Sequence, residues 1–125
     1  MTQPAGGPLS DVRVLDLTSV VMGPMATQIL GDLGADVITV EDIHGDTNRF
    51  MGPGPHPQLS GVSLNLMRNK RNISLDLKHP DGREACLRLA EWADIVITNL
   101  RPGPLRRLGL AYDDVRMRNP RIIFC

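Results

Sequence analysis

Arg68, Lys70, Arg71 and Lys78 bracket one short apolar alternation, and Arg101, Arg106 and Arg107 follow the next apolar run. Guanidinium and ammonium groups gathered in this way suit a ligand with several anionic oxygens, because charge-assisted hydrogen bonds to phosphate or carboxylate are the strong kind. If the two runs are strands lying close in one sheet, their cations face one anion-binding edge. The plainer alternative is a solvated basic surface. The acids are scattered. Asp16 lies inside an apolar run, where an inward carboxylate is expected to be tied to backbone or to a cation, and Glu41 stands at the end of another run, where a dinucleotide-binding fold would use it on a ribose hydroxyl. His44, His56 and His79 share no metal-ligand spacing, so no metal site is assigned. No nucleophile, base and orienting group stand together, and no catalytic residue is assigned either.

The elements that must position these groups follow from the apolar spacing. Val12, Val14, Leu15 and Leu17 form a run of strand length, and Gly23-Pro24 marks the turn into a helix. Ala26, Ile29, Leu30 and Leu33 recur at i, i+3, i+4, i+7, which predicts them as the core-facing stripe of that helix, ended by Gly34. Val37, Ile38 and Val40 make a second strand ending at Glu41, so a βαβ unit and parallel pairing are expected. Between Asp42 and Gly61 the periodicity vanishes and Pro53, Pro55, Pro57 and several glycines intervene, the pattern of a long functional loop or of an excursion away from the core. A short helix is predicted around Val62 to Met67, and a strand through Ile73, Leu75 and Leu77. A helix opened by Pro80, with a stripe of Cys86, Leu89, Ala90 and Ala93, precedes the strand Ile95 to Ile97. Short helices around Leu105 to Leu108 and Tyr112 to Arg118 lead to a last strand, Arg121 to Cys125. The fold class is therefore α/β, a Rossmann-like, mostly parallel sheet with flanking helices. Met1 to Ser10 reads as a flexible leader and residues 11–125 as the ordered unit. Because the sequence stops inside an apolar run, the front part of something longer is expected.

Composition bounds the partners. With 125 residues there is room for about one domain. Hydrophobic residues at 42% and charged residues at 22% fit a packed chain rather than a disordered one. Fourteen Lys and Arg balance fourteen Asp and Glu, which argues against a general nucleic-acid binder. No apolar run approaches the ~18 residues of a membrane span. Cys86 and Cys125 are too few and too far apart for a disulfide framework. A cytoplasmic protein with reduced thiols is expected. Ligands of an open parallel sheet bind beyond the carboxyl ends of its strands. The segment Thr18-Ser19-Val20-Val21-Met22-Gly23-Pro24 occupies that place but lacks the G-x-G-x-x-G cradle of ordinary dinucleotide binding.

Several segments in order carry a resemblance: Val12-Arg13-Val14-Leu15-Asp16-Leu17-Thr18, Gly23-Pro24 with Thr27-Gln28, and Asp32 through Glu41. They continue with Gly45-Asp46, Arg49, Gly52-Pro53, Asn69 through Lys78, Gly82, Ala93-Asp94, Asn99-Leu100-Arg101-Pro102-Gly103, Leu108-Gly109-Leu110 and Asn119-Pro120-Arg121. From Leu9 to Cys125 the sequence resembles the N-terminal part of the family III CoA-transferases, the group containing formyl-CoA transferase, carnitine CoA-transferase and alpha-methylacyl-CoA racemase. The resemblance implies a Rossmann-like large domain in enzymes that form interlocked dimers and act on CoA thioesters and carboxylic acids, with coenzyme A or acyl-CoA as substrate.

Carried over by position, the resemblance places Val21 and Met22 against the nucleotide part of CoA, and Leu75 and Lys78 against its adenosine and phosphate region. Asn99, Leu100 and Arg101 would border the pantetheine or diphosphate, with Arg107 a further phosphate ligand. Two departures stand out. Asp42 occupies a position where many relatives have arginine, which implies a weaker or altered hold on the nucleotide. The aspartate that forms the covalent intermediates of the transferases, and the histidine and aspartate pair of the racemases, lie downstream of Cys125. The expected function is the CoA-binding N-terminal portion of a transferase, acting as a homodimer or paired with a C-terminal portion and inactive alone. A racemase portion and a non-catalytic assembly subunit are the alternatives.

Overall fold

A computed structural model describes residues 6–125. Strands β1 (Arg13–Leu17), β2 (Asp36–Glu41), β3 (Lys70–Ser74), β4 (Ile95–Thr98) and β5 (Ile123–Phe124) alternate with helices α1 (Met22–Asp32), α2 (Gly61–Leu66), α3 (Pro80–Trp92), α4 (Pro102–Leu108) and α5 (Tyr112–Arg118). The strands pair in parallel in the order β3-β2-β1-β4-β5, with Leu15 between Ile38 and Val96. The chain runs outward from β1 to β3, then crosses back and continues on the other side of β1. The reversal between β1 and β4 is the point at which such a sheet opens a crevice at its carboxyl ends.

One sheet face carries the main apolar core. Leu15, Leu17, Val40 and Val96 meet Cys86, Leu87 and Ala90 of α3, Leu105 of α4 and Val115 of α5. Leu15 and Val96 are fully buried, each contributing about 1.5 to 3 kcal/mol by leaving water. Val14, Ala35 and Val37 form a smaller cluster with Leu9, Val12 and Leu30. Leu9 also donates its N–H to Leu33 O at 3.0 Å. The second half of the expected leader is thus packed against α1 and the sheet, while residues 1–5 lie outside the described residues.

Helix α1 departs from the expectation at Ala26, Ile29 and Leu33, which are exposed, while Leu30 of the same predicted stripe does pack on the smaller cluster. Pro24, Thr27, Gln28 and Gly31 are its buried residues, whereas Met22 is 79%, Met25 47%, Ile29 48% and Leu33 42% exposed. The reason lies in the sheet. The β1–β2 surface beneath α1 carries Asp16, Thr18 and Thr39, all buried, and a buried carboxylate costs several kcal/mol unless its lone pairs are filled, so α1 turns its threonine inward. Gly31 permits the approach: a Cβ there would sit 2.9 Å from Asn69 O on the segment entering β3.

Two further expectations shift. Strand β3 ends at Ser74 rather than running through Leu77, because its register pairs Lys70 with Val37 and Ser74 with Glu41. Leu75 and Leu77 then pack on the main core from outside the sheet. The Asp42–Gly61 stretch is also not a free excursion. A 3-10 turn at Thr47–Phe50 is capped by Asp46, and the hydroxyl of Ser60 both caps α2 and donates to Asn48 O at 2.5 Å.

Candidate ligand site at the strand ends

Asp16 is the hub beneath the site. It is 0% exposed, and its carboxylate accepts from Thr18 N at 2.9 Å, Thr18 Oγ1 and Thr27 Oγ1 at 2.5 Å each, and Thr39 Oγ1 at 3.0 Å. Lys70, whose side chain is 2% exposed, completes the set at 3.1 Å and also donates to Pro24 O and Thr27 Oγ1. Burial pulls the Lys70 ammonium below its ordinary pKa and Asp16 opposes that pull. The sequence expectation that Asp16 is tied to backbone or a cation holds. The same pair links β1, the first turn of α1 and β3.

The β1–α1 turn stands directly on this hub. Ser19 is clamped by Asn99 from the end of β4, which accepts from Ser19 N at 3.1 Å and donates to Ser19 O at 2.8 Å. Val20 N reaches Asp46 Oδ1 at 3.3 Å. Held from both sides, Val20 adopts φ +72, a left-handed conformation that a β-branched residue avoids, with a cost of order 1 to 3 kcal/mol. Strain of this kind persists only where the surroundings over-determine it. Val21 and Met22 follow at once, Met22 projecting outward beside the β1–β4 reversal.

Glu41 is equally committed. Its carboxylate takes both Arg49 donors at 2.6 Å, Asp46 N at 2.8 Å and the side-chain amide of Asn72. Burial pushes its pKa up, but Arg49, Asp46 N and Asn72 outweigh that and hold it below the usual carboxylate range. It has no lone pair left for a ribose hydroxyl.

The expected single cationic edge divides. Strands β3 and β4 are separated by β2 and β1. Lys70 is spent on Asp16, Arg68 on Asp32 at 2.7 Å and Arg71 on Asp36 at 2.6 Å. Lys78 escapes this fate because the chain leaves β3 and crosses over the core before α3. It lines, with Arg107 of α4, an open groove of about 400 Å³ whose other walls are Leu77, His79, Pro80, Arg83, Pro104 and Leu108. Two leucines and two prolines make apolar walls, the cations stand among them, and no carboxylate is present. Of the residues named from the resemblance, Lys78 and Arg107 share this groove. Arg101 is exposed at the N-cap of α4. Leu75 and Leu100 are partly buried against the core, and Asn99 is bound to Ser19. Arg83 was not anticipated, since nothing in a lone helical arginine marks it until α4 is placed opposite. Among the described residues no group of three or more His, Cys, Asp or Glu is arranged to hold a metal ion, and no helix is long and apolar enough to cross a membrane.

A parallel sheet reversing between β1 and β4, with a groove lined by Lys78, Arg83 and Arg107 and no glycine cradle after β1, defines an α/β fold that lacks the phosphate loop of ordinary dinucleotide binders. The profile of CoA-transferase family III matches residues 9–125, and the chain belongs to that family. It is 40% identical over 122 residues to succinyl-CoA:mesaconate CoA-transferase of Haloarcula hispanica, covering 94% of this chain and 31% of that enzyme. It is 44% identical over 119 residues to succinyl-CoA:glutarate CoA-transferase of Mus musculus, covering 94% of this chain and 27% of that enzyme. The crystal structure of a CAIB/BAIF family protein from Brucella suis superposes with a TM-score of 0.90 at 37% identity, over 95% of this chain and 32% of the other. The chain thus spans about a third or less of the relatives it matches, and aligns with the N-terminal part of the family.

Proposed function

We propose that this chain is the CoA-binding N-terminal portion of an enzyme that transfers CoA between carboxylic acids. The observation that carries the reading is the groove lined by Lys78 and Arg107 among leucines and prolines, with no acid among its lining residues. A CoA nucleotide needs both features: flat apolar contact for adenine and charge-assisted donors for phosphate. The strained β1–α1 turn and Arg101 border the reversal between β1 and β4, the route along which the rest of the thioester would run. Asn99 acts there through Ser19, fixing the turn that presents Val21 and Met22.

Two carboxylates inside the strands are already committed, which fits the assignment of the chemistry elsewhere. Transfer through covalent intermediates needs a free carboxylate to attack the thioester carbonyl. Asp16 is ion-paired and buried, Glu41 is saturated, Asp46 accepts from Val20 N and Asn48 N, and Asp76 accepts from Lys78 N. In this reading the attacking group comes from a segment corresponding to the remaining length of the relatives. The apolar stripe Met22, Met25, Ile29 and Leu33 on α1 offers a surface for that segment or for a second copy to cover. The two relatives described above are CoA-transferases, which favours transfer over racemisation as the reaction.

Calorimetric titration of the full-length natural protein with CoA tests the site. Lys78→Ala and Arg107→Ala are each expected to weaken binding by roughly 1 to 3 kcal/mol, the value of a charge-assisted hydrogen bond. Unchanged affinity in both variants would return the groove to the status of a solvated surface. The chain alone, given labelled acyl-CoA and an acceptor acid, is expected to give no transfer above buffer; transfer abolished by Asp16→Asn or Glu41→Gln would place the nucleophile in this segment instead.

A further inference from the structure

We propose that Arg83 is a third phosphate ligand of the α3–α4 groove and the residue that makes it prefer a nucleotide ending in a phosphate monoester. The inference rests on the reading above that the groove receives the nucleotide end of a CoA thioester.

Arg83 stands one turn into α3 and lines the groove together with Lys78 and Arg107. Its side chain makes no hydrogen bond or ion pair among the described residues, in contrast to Arg13, Arg49, Arg68, Arg71, Arg88 and Arg118. The nearest acid in sequence, Glu84, is drawn to the other side of α3, where it takes Arg118 at 2.7 Å and lies 3.7 Å from Arg88. The Arg83 guanidinium lies instead over Gly109, the left-handed residue that ends α4 at φ +65. A Cβ there would stand 3.2 Å from Arg83 Nη1 and 3.4 Å from its Cδ, so the glycine that closes α4 also leaves the arginine its place. The groove therefore brings together an arginine from α3, an arginine from α4 and the lysine that precedes α3, with no acid among its lining residues.

Such an arrangement distinguishes phosphate types by charge. A bridging phosphodiester carries one negative charge, whereas a monoester carries about 1.5 to 2 at neutral pH. Two cations suffice for the first; a third donor with a planar fork is matched to the second. CoA carries one monoester, on its ribose, and 3′-dephospho-CoA lacks it while keeping the adenine and the diphosphate.

The test compares these two ligands by calorimetry on the full-length natural protein. In the unaltered protein CoA is expected to bind at least tenfold more tightly than 3′-dephospho-CoA. Arg83→Gln is expected to weaken CoA roughly tenfold or more while changing 3′-dephospho-CoA less than about twofold, and Arg83→Lys to recover part of the loss because the charge remains. Arg83 is solvent-facing, and an unchanged thermal melt shows that the variant is folded. If Lys78→Ala and Arg107→Ala weaken CoA but Arg83→Gln does not, or if Arg83→Gln weakens both ligands equally, the role of Arg83 is refuted and the CoA site stands. If none of the three variants changes CoA affinity, the CoA reading of the groove falls with it.

Discussion

Replacing Lys70 with Met removes, among the described residues, the only ammonium that reaches Asp16 and leaves a fully buried carboxylate with hydroxyl and amide donors but no counter-charge from them. Methionine fills most of the lysine's volume, so the loss is electrostatic rather than a cavity. Breaking a buried pair by deleting one partner costs about 3 to 5 kcal/mol. The whole stability of a domain of this size is roughly 5 to 15 kcal/mol, so the variant forfeits about a fifth of it or more. The pair Arg13–Asp94 supplies the contrast. At 3.0 Å its geometry is as good, but its side chains are 46% and 41% exposed, and exposed pairs contribute about 0 to 1 kcal/mol. Urea unfolding followed by circular dichroism is the assay: Lys70→Met should lower the midpoint strongly with the slope unchanged, and Asp94→Asn should barely move it. The double change Asp16→Asn with Lys70→Met should recover much of the loss, since no uncompensated charge remains. A cost below about 1 kcal/mol for Lys70→Met alone would refute the reasoning, because it would mean that water reaches Asp16 in the folded chain.

Burial pushes the Cys86 thiol up to about 12, so a thiol reagent at pH 8 should leave it unmodified in the folded chain and label it only in denaturant, while the exposed Cys125 reacts at once; mass spectrometry of the digested protein reads which residue carries the label. Asp32 is held down to about 2 by hydrogen bonds from Arg68 and Gln28, with Asn69 adding a third. Its folded pKa lies below the unfolded value, so its contribution is present above about pH 4 and is lost as the pH falls towards 2. Urea midpoints measured between pH 6 and pH 2 should therefore fall less steeply in Asp32→Asn than in the unaltered chain, and identical slopes would contradict the assignment.

Much of the architecture was legible along the chain because it rests on local periodicity. The stripe of Cys86, Ala90 and Ala93 does face the core, Tyr112–Arg118 is a helix as the pattern predicts, and the β–α alternation yields a parallel sheet. The family resemblance was legible for a related reason: its segments are short, ordered and contiguous, so they survive without knowledge of what touches what. The errors fall where a residue's role depends on partners far away in the chain. Ile29 and Leu33 look like core residues by spacing, yet their helix faces a surface holding Asp16, and the need to satisfy that carboxylate outweighs the burial of two aliphatic side chains.

The cations show the same division. Along the sequence Arg68, Lys70, Arg71 and Lys78 are equivalent members of one basic stretch. Only the packed chain assigns Arg68, Lys70 and Arg71 to Asp32, Asp16 and Asp36 and leaves Lys78 lining a groove with Arg107. Sequence by itself determined which element types form and where the family's motifs lie, since both depend on neighbours within a turn or two. Which charges are neutralised and which remain for a ligand was decided by tertiary structure, because an ion pair forms across whatever distance in sequence the fold closes to 3 Å in space.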